Sequence, residues 1–258
     1  MNRINQLFSQ KKANILSIYF CAGHPSFDNT VPTIQALEAH GIDMIEIGIP
    51  FSDPMADGPV IQQAATQALR GGMTLRKLFA QLEGIREKVS LPLILMGYLN
   101  PIMQFGFEAF CQRCRETGID GVIIPDLPFK DYLADYKPIA DKYDLKVIML
   151  ITPETSETRI RDIDAHTDGF IYMVSSAAIT GAQSDFNAEK QAYFKRINAM
   201  NLHHPRMIGF GISNKQTLET AAPHAAGVII GSKFVSLLEE YKGDATRAAE
   251  ELLKALKN

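Results

Sequence analysis

Glu46 is the residue most out of place in this sequence. It interrupts the apolar run Met44-Ile45-Glu46-Ile47-Gly48-Ile49, where the alternation of a strand puts the three isoleucines on one face and Met44, Glu46 and Gly48 on the other. If the isoleucines pack outward against helices, Glu46 points into the interior. A carboxylate there has no basic neighbour in sequence, so burial favours its protonated form, which is the state a general acid requires. A shifted register would instead leave Glu46 solvated at a sheet edge. The run continues into Pro50-Phe51-Ser52-Asp53-Pro54-Met55-Ala56-Asp57-Gly58-Pro59, a loop stiffened by three prolines and carrying two further carboxylates. Asp53 is as readily explained as a turn-forming residue as by chemistry.

Other reactive side chains fit their settings less well. Cys111 and Cys114 have the CxxC spacing of a zinc or redox half-site, but no second pair exists, and with Phe107 and Phe110 they read as one face of a helix. Cys21 lies in an apolar strand and is expected in the core. A Schiff-base aldolase needs a lysine late in a strand, whereas Lys146 begins one and Lys233 follows a glycine turn. His24 is the only histidine near a strand end, and His203-His204 fall at the opposite face, where they are expected to be solvated, so no metal set is expected.

The elements that must position these groups repeat along the whole chain. Short runs rich in Ile, Val and Leu alternate with amphipathic stretches, with strands expected at Leu16 to Ala22, Met44 to Ile49, Leu93 to Tyr98, Gly121 to Pro125, Lys146 to Ile151, Gly169 to Ser175, Arg206 to Phe210 and Gly227 to Ile230. Gly41-Ile42-Asp43 and Gly118-Ile119-Asp120 each mark a helix ending at glycine before a buried strand. Eight βα units in 258 residues match a single (β/α)8 barrel over residues 1–258, with an extra helix at Asn2 to Gln10 and a closing one at Asp244 to Lys257. A doubly wound open sheet is the alternative, but its first strand should lead into GxGxxG, and Cys21-Ala22-Gly23-His24-Pro25 stands there.

Composition narrows the partners. With 46% hydrophobic residues and a net charge of -3 from 26 basic and 29 acidic side chains, the chain has the means to fold and no positive field to collect nucleic acid or anionic lipid. No apolar stretch approaches the ~20 residues of a membrane span. The start shows no cleavage pattern after its apolar run, so a cytoplasmic protein acting on a small molecule is expected. Barrels of this kind bind phosphate at the turns after strands 7 and 8, here Gly209-Phe210-Gly211-Ile212-Ser213 and Gly231-Ser232, where backbone N–H groups and the hydroxyls of Ser213 and Ser232 are available.

Residues 46 to 59 closely resemble the signature of the tryptophan synthase alpha subunit family. The likeness extends in order through Ala22-Gly23-His24-Pro25, Gly97-Tyr98-Leu99-Asn100-Pro101, Pro125-Asp126-Leu127-Pro128, Thr180-Gly181, Gly209 to Ser213 and Gly231-Ser232. It implies a TIM barrel that cleaves indole-3-glycerol phosphate to indole and glyceraldehyde 3-phosphate by a retro-aldol reaction, with neither metal nor cofactor in this chain. On that resemblance Glu46 matches the general acid and base, and Asp57 the carboxylate that hydrogen-bonds the indole N–H. Such a pair works when its two environments hold different protonation states. The resemblance also places Phe20, Tyr98, Leu99, Tyr172 and Phe210 around the indole, and Thr180, Gly181, Gly211, Ser213, Gly231 and Ser232 in the binding of the substrate.

The same resemblance implies a partner, the tryptophan synthase beta subunit, which carries pyridoxal phosphate, in an alpha2beta2 heterotetramer. Asp53, Pro54 and Met55 are expected near that contact, with Ser175 to Asn187 as a lid. Ser176, Ala177 and Ala178 depart from the common family pattern, which bears on lid closure and coupling. Two other readings remain open at this point: a stand-alone indole-producing lyase, and a barrel serving mainly as a ligand-gated regulatory subunit. An indole-glycerol phosphate synthase would lack residues 46 to 59 as written and would use catalytic lysines.

Overall fold

Eight parallel strands close into a barrel in sequence order, β1 (Ile15–Cys21), β2 (Met44–Gly48), β3 (Leu93–Met96), β4 (Gly121–Ile123), β5 (Lys146–Ile151), β6 (Ile171–Val174), β7 (Arg206–Gly209) and β8 (Gly227–Ile230), with β8 pairing back onto β1. The structure is a computed structural model that describes residues 1–174, 188–209 and 211–257. Helices follow the strands and cover the outside, as the alternation of apolar runs and amphipathic stretches requires. The strands are almost wholly buried, which is why they read as continuous apolar runs.

Several strands stop one or two residues earlier than the sequence indicates, for local reasons. β3 ends at Met96 where the chain turns into the helix Leu99–Phe105, and β4 ends before Pro125, which has no N–H to extend a ladder. β1 is displaced by one residue towards the N-terminus. Ser175 and Phe210, expected as the last residues of β6 and β7, lie outside the described residues. The glycine turns form as expected, with Gly41 and Gly118 at φ +77° and +76° after their helices.

The extra N-terminal helix, Arg3–Gln10, plugs the bottom of the barrel. Asn2 caps it by accepting from the Ile4 N–H, Ile4 and Phe8 are buried, and Phe8 meets Phe170 with ring centroids 5.6 Å apart. The helix Phe107–Thr117 buries both Cys111 and Cys114, and burial pushes the Cys111 thiol up to about 12. Cys21 is buried on β1, and none of the three cysteines is paired. His203 is exposed as expected; His204 is not free in solvent, because its ring nitrogen lies 3.2 Å from the Asp164 carboxylate. Among the described residues no helix is long and apolar enough to cross a membrane.

Asp120, buried just before β4, holds this lower face together. It accepts from Arg3 at 3.0 Å, from Arg86 at 2.6 Å and from the Leu93 N–H at 3.0 Å, while its backbone carbonyl accepts from Asn2. Removing the carboxylate strands a largely buried guanidinium. Asp120→Ala is therefore expected to lower the unfolding free energy by about 3–5 kcal/mol, read by urea denaturation, with little change in ligand affinity at the far end of the barrel.

Candidate active site

The register of β1 and β2 decides where Glu46 goes. Tyr19 pairs with Glu46 and Ser17 with Met44, so Ser17, Tyr19 and Glu46 share the interior face while Ile18, Phe20 and the isoleucines of β2 face the helices. Glu46 is fully buried. Its Oε1 accepts from the Ser17 hydroxyl at 3.1 Å, and its Oε2 is buried without a partner. Burial pushes the carboxyl up to about 8, against the smaller opposing effect of the Ser17 hydrogen bond.

Asp57 reaches the same cavity from the proline-stiffened loop. The Tyr98 hydroxyl donates to its Oδ2 at 2.7 Å and accepts from the Ala56 N–H at 3.0 Å, while Phe51 packs on the Tyr98 ring at 5.4 Å between centroids. Gln62 donates to the Asp57 carbonyl. The loop is thus tied at several points, and Asp57 Oδ1 is left buried without a partner. Burial raises this carboxyl to about 6, with the Tyr98 hydrogen bond again pulling the other way. Both carboxyls are raised, Glu46 further than Asp57, so two groups with different hold on their protons face one space.

That space is a cavity of about 250 Å³ at the C-terminal mouth of the strands. Tyr19, Ile61, Met96, Tyr172 and Ile229 line it with the two carboxyls, and Gly211, Ile212, Ser213, Gly231, Ser232 and Lys233 complete the wall, Gly231 lying against Tyr19 and Ile61. The tyrosines fit because Gly48 and Gly209 have no side chain: a Cβ on either would collide with the hydroxyl of Tyr19 or Tyr172. In the same wall the helix Ser232–Glu240 begins without a side-chain cap, so its first N–H groups are donors for an anion. The Ser213 N–H is engaged by Thr217 within the cap of the next helix, which leaves its hydroxyl.

Of the residues expected from the sequence, Glu46, Asp57, Tyr172, Gly211, Ser213, Gly231 and Ser232 come together around the cavity. Phe20 does not: it is buried on the helix-facing side, and its neighbour Tyr19 takes the place expected for it. Tyr98 stands behind Asp57 and positions it, and Leu99 is half-buried at a helix start with its N–H bonded to Asp126, away from the cavity wall. Thr180, Gly181, Phe210 and the lid positions Ser176, Ala177 and Ala178 lie outside the described residues. Asp53 and Met55 are exposed and Pro54 half-buried on the rim above the mouth, with Met55 70% exposed. Ser17 and Tyr19 are not among the expected residues, although a serine in an apolar strand signals which parity faces inward.

A closed (β/α)8 barrel with an acid–base carboxyl pair at its mouth and free helix N–H donors beside it is an enzyme for proton-transfer chemistry on a small anionic substrate. The profile of the tryptophan synthase alpha chain matches residues 5–258. The chain is 73% identical over 258 residues to the tryptophan synthase alpha chain of Phocaeicola vulgatus and 68% identical over 257 to that of Bacteroides thetaiotaomicron, covering all of both chains in each case. The crystal structure of tryptophan synthase subunit alpha from Legionella pneumophila superposes with a TM-score of 0.88 at 35% identity, covering 100% of this chain and 97% of that one. This chain belongs to the tryptophan synthase alpha chain family. It is a carbon–carbon lyase of tryptophan biosynthesis, cleaving indole-3-glycerol phosphate to indole and glyceraldehyde 3-phosphate without a cofactor of its own; pyridoxal phosphate belongs to the beta subunit.

Glu46 also leaves a mark on stability. In the unfolded chain it ionises near 4.5 and in the folded chain near 8, so between those values unfolding releases a proton and stability falls as pH rises, by up to about 1.4 kcal/mol per unit. Glu46→Gln removes this contribution. Its unfolding free energy relative to wild type is expected to climb steadily from pH 5 to pH 8 in urea titrations; a flat difference would mean that Glu46 ionises in the native barrel at an ordinary carboxyl value.

Proposed function

We propose that Glu46 is the general acid and base of the cleavage and that Asp57 is the carboxylate that holds the indole nitrogen. The observation that carries this reading is the matched state of the two groups. Each has one oxygen fixed by a protein hydroxyl, Ser17 or Tyr98, and one buried oxygen without a partner, and both line one cavity. Protonated Glu46 delivers its proton to indole C3. Ionised Asp57 accepts a hydrogen bond from the ring N–H and stabilises the positive charge that develops there. The glycerol carbon–C3 bond then breaks with its electrons returning to the ring, while the Glu46 carboxylate takes the proton of the adjacent hydroxyl as the aldehyde forms. One proton is given and one recovered, so the enzyme ends as it began. In this reading Tyr19, Met96 and Tyr172 enclose the indole, and the turns at Gly211 to Ser213 and Gly231-Ser232 take the phosphate.

The reading extends to one barrel domain over residues 1–258, to the cytoplasm, and to an alpha2beta2 heterotetramer with the tryptophan synthase beta subunit. Three buried, unpaired cysteines fit a reducing compartment. Indole is small and apolar and is lost by diffusion unless handed on. The exposed Met55 with Asp53 and Pro54 sits on the rim next to the loop that carries Asp57, so a partner docked there acts on the placement of that carboxylate.

Glu46→Gln and Asp57→Asn are each expected to bind substrate and to lose about 10²- to 10⁴-fold in kcat, measured as indole release. More than about a tenth of wild-type kcat in Glu46→Gln would sink the assignment. Added beta subunit is expected to co-elute with the chain and raise kcat more than it changes substrate affinity. Co-elution without a rate change would remove the activation, and no co-elution at roughly tens of micromolar, a concentration at which even weak specific complexes form, would favour a stand-alone lyase.

A further inference from the structure

Lys233 has no part in the chemistry above, yet it lines the same cavity. It is half-buried, follows Ser232 in the first turn of the helix Ser232–Glu240, and is the one basic side chain among the described residues that form the cavity wall. No hydrogen bond or ion pair engages it among the described residues. A cation in a first helical turn stands against the dipole, whose N-terminal end is already positive. Here that turn also lacks a side-chain cap. Two uncompensated positive features therefore meet in the wall of one cavity. The buried, unpartnered oxygens of Glu46 and Asp57 in the same wall independently indicate a ligand-filled space.

We infer that Lys233 supplies the counter-charge for the substrate's phosphate, its ammonium sharing the phosphate oxygens with the backbone N–H groups of the Ser232 turn. The inference rests on the reading of this cavity as the indole-3-glycerol phosphate site. A phosphomonoester carries about -1.5 to -2 charges near pH 7, whereas a helix terminus presents roughly +0.5. The turn after β7 adds less than its sequence implies, because the Ser213 and Asn214 N–H groups are both engaged by Thr217. A lysine binds phosphate as a point charge and needs no fixed geometry, which suits a side chain at the open side of the site.

The test is calorimetry on the full chain with three probes: glyceraldehyde 3-phosphate, inorganic phosphate and free indole. Lys233→Met is expected to weaken both phosphate-bearing probes on the order of tenfold, the scale of one charge-assisted hydrogen bond at a half-exposed site, and to leave indole affinity as it was. Lys233→Arg should keep most of the phosphate affinity. The KM for indole-3-glycerol phosphate should rise in step in Lys233→Met, and the salt dependence of KM should flatten as one charge is lost. Gly231→Val, whose side chain would stand between the turn and the ligand, is the comparator. Phosphate affinity unchanged in Lys233→Met but lost in Gly231→Val would overturn the role of Lys233 and leave the site reading intact. No phosphate affinity in the wild type, or none lost in either variant, would overturn both. Equal losses for indole and the phosphate probes would also overturn the inference, since they mark a disturbed cavity and not a missing charge.

Discussion

A carboxyl group at the centre of a closed, apolar barrel must be neutral or be paired with a cation, and no cation among the described residues approaches Glu46. The barrel resolves this with a single neutral donor, the Ser17 hydroxyl, and with burial that keeps the proton on. Much of the architecture follows from that constraint. The pairing of Tyr19 with Glu46 fixes the parity of β1 and β2, and a slip of one residue would send Glu46 among the helices and bring an isoleucine inside. Gly48, one position of the same parity beyond Glu46, keeps the space above it clear for the Tyr19 ring. A hydroxyl in place of a cation matters for the proposed chemistry as well: a salt bridge would hold Glu46 ionised and leave it without the proton a general acid donates.

Asp57 meets the opposite requirement by a different route. It is carried on a loop, not a strand, is somewhat less deeply buried, and has a phenol at 2.7 Å where Glu46 has a serine at 3.1 Å. The shorter bond and the lesser desolvation raise it less than Glu46, to about 6 against about 8, so it gives up its proton more readily than Glu46. The two halves of the pair also differ in how they respond to force. Glu46 is locked by a closed hydrogen-bonded sheet and cannot move without breaking the barrel. Asp57 is held by Tyr98 and a few loop bonds, so its position depends on the loop and that of Glu46 on the sheet.

The fold was legible because a parallel barrel is buried on both faces of its sheet and therefore writes each strand as a short apolar run between glycine-punctuated helices. Glu46 was legible for the same reason, as a charge where only apolar residues belong. The errors arose where function depends on side-chain parity or on contacts across the chain. Phe20 and Tyr19 are adjacent aromatics in one strand, and only the register with β2 decides which enters the cavity. Tyr98 is correctly near the site, but its hydrogen bond to a residue 41 positions earlier could not be read from spacing. Sequence shows Lys233 only as a lysine after a glycine turn; that no ion pair engages it among the described residues is a property of the folded barrel.

The proposed placement of substrate bears on how the reaction finishes. On that reading the indole lies against the apolar wall and Asp57, and the phosphate against the uncapped helix turn with Lys233. While the carbon–carbon bond is intact, each anchor holds the other in place, and binding at one end raises the effective concentration at the second. Cleavage severs that link. On the proposed assignment indole keeps only the apolar wall and a hydrogen bond to Asp57, and the aldehyde only the phosphate contacts, so each product is bound by part of what held the substrate. A site built this way binds the molecule to be cut more tightly than either fragment and needs no separate device to expel them.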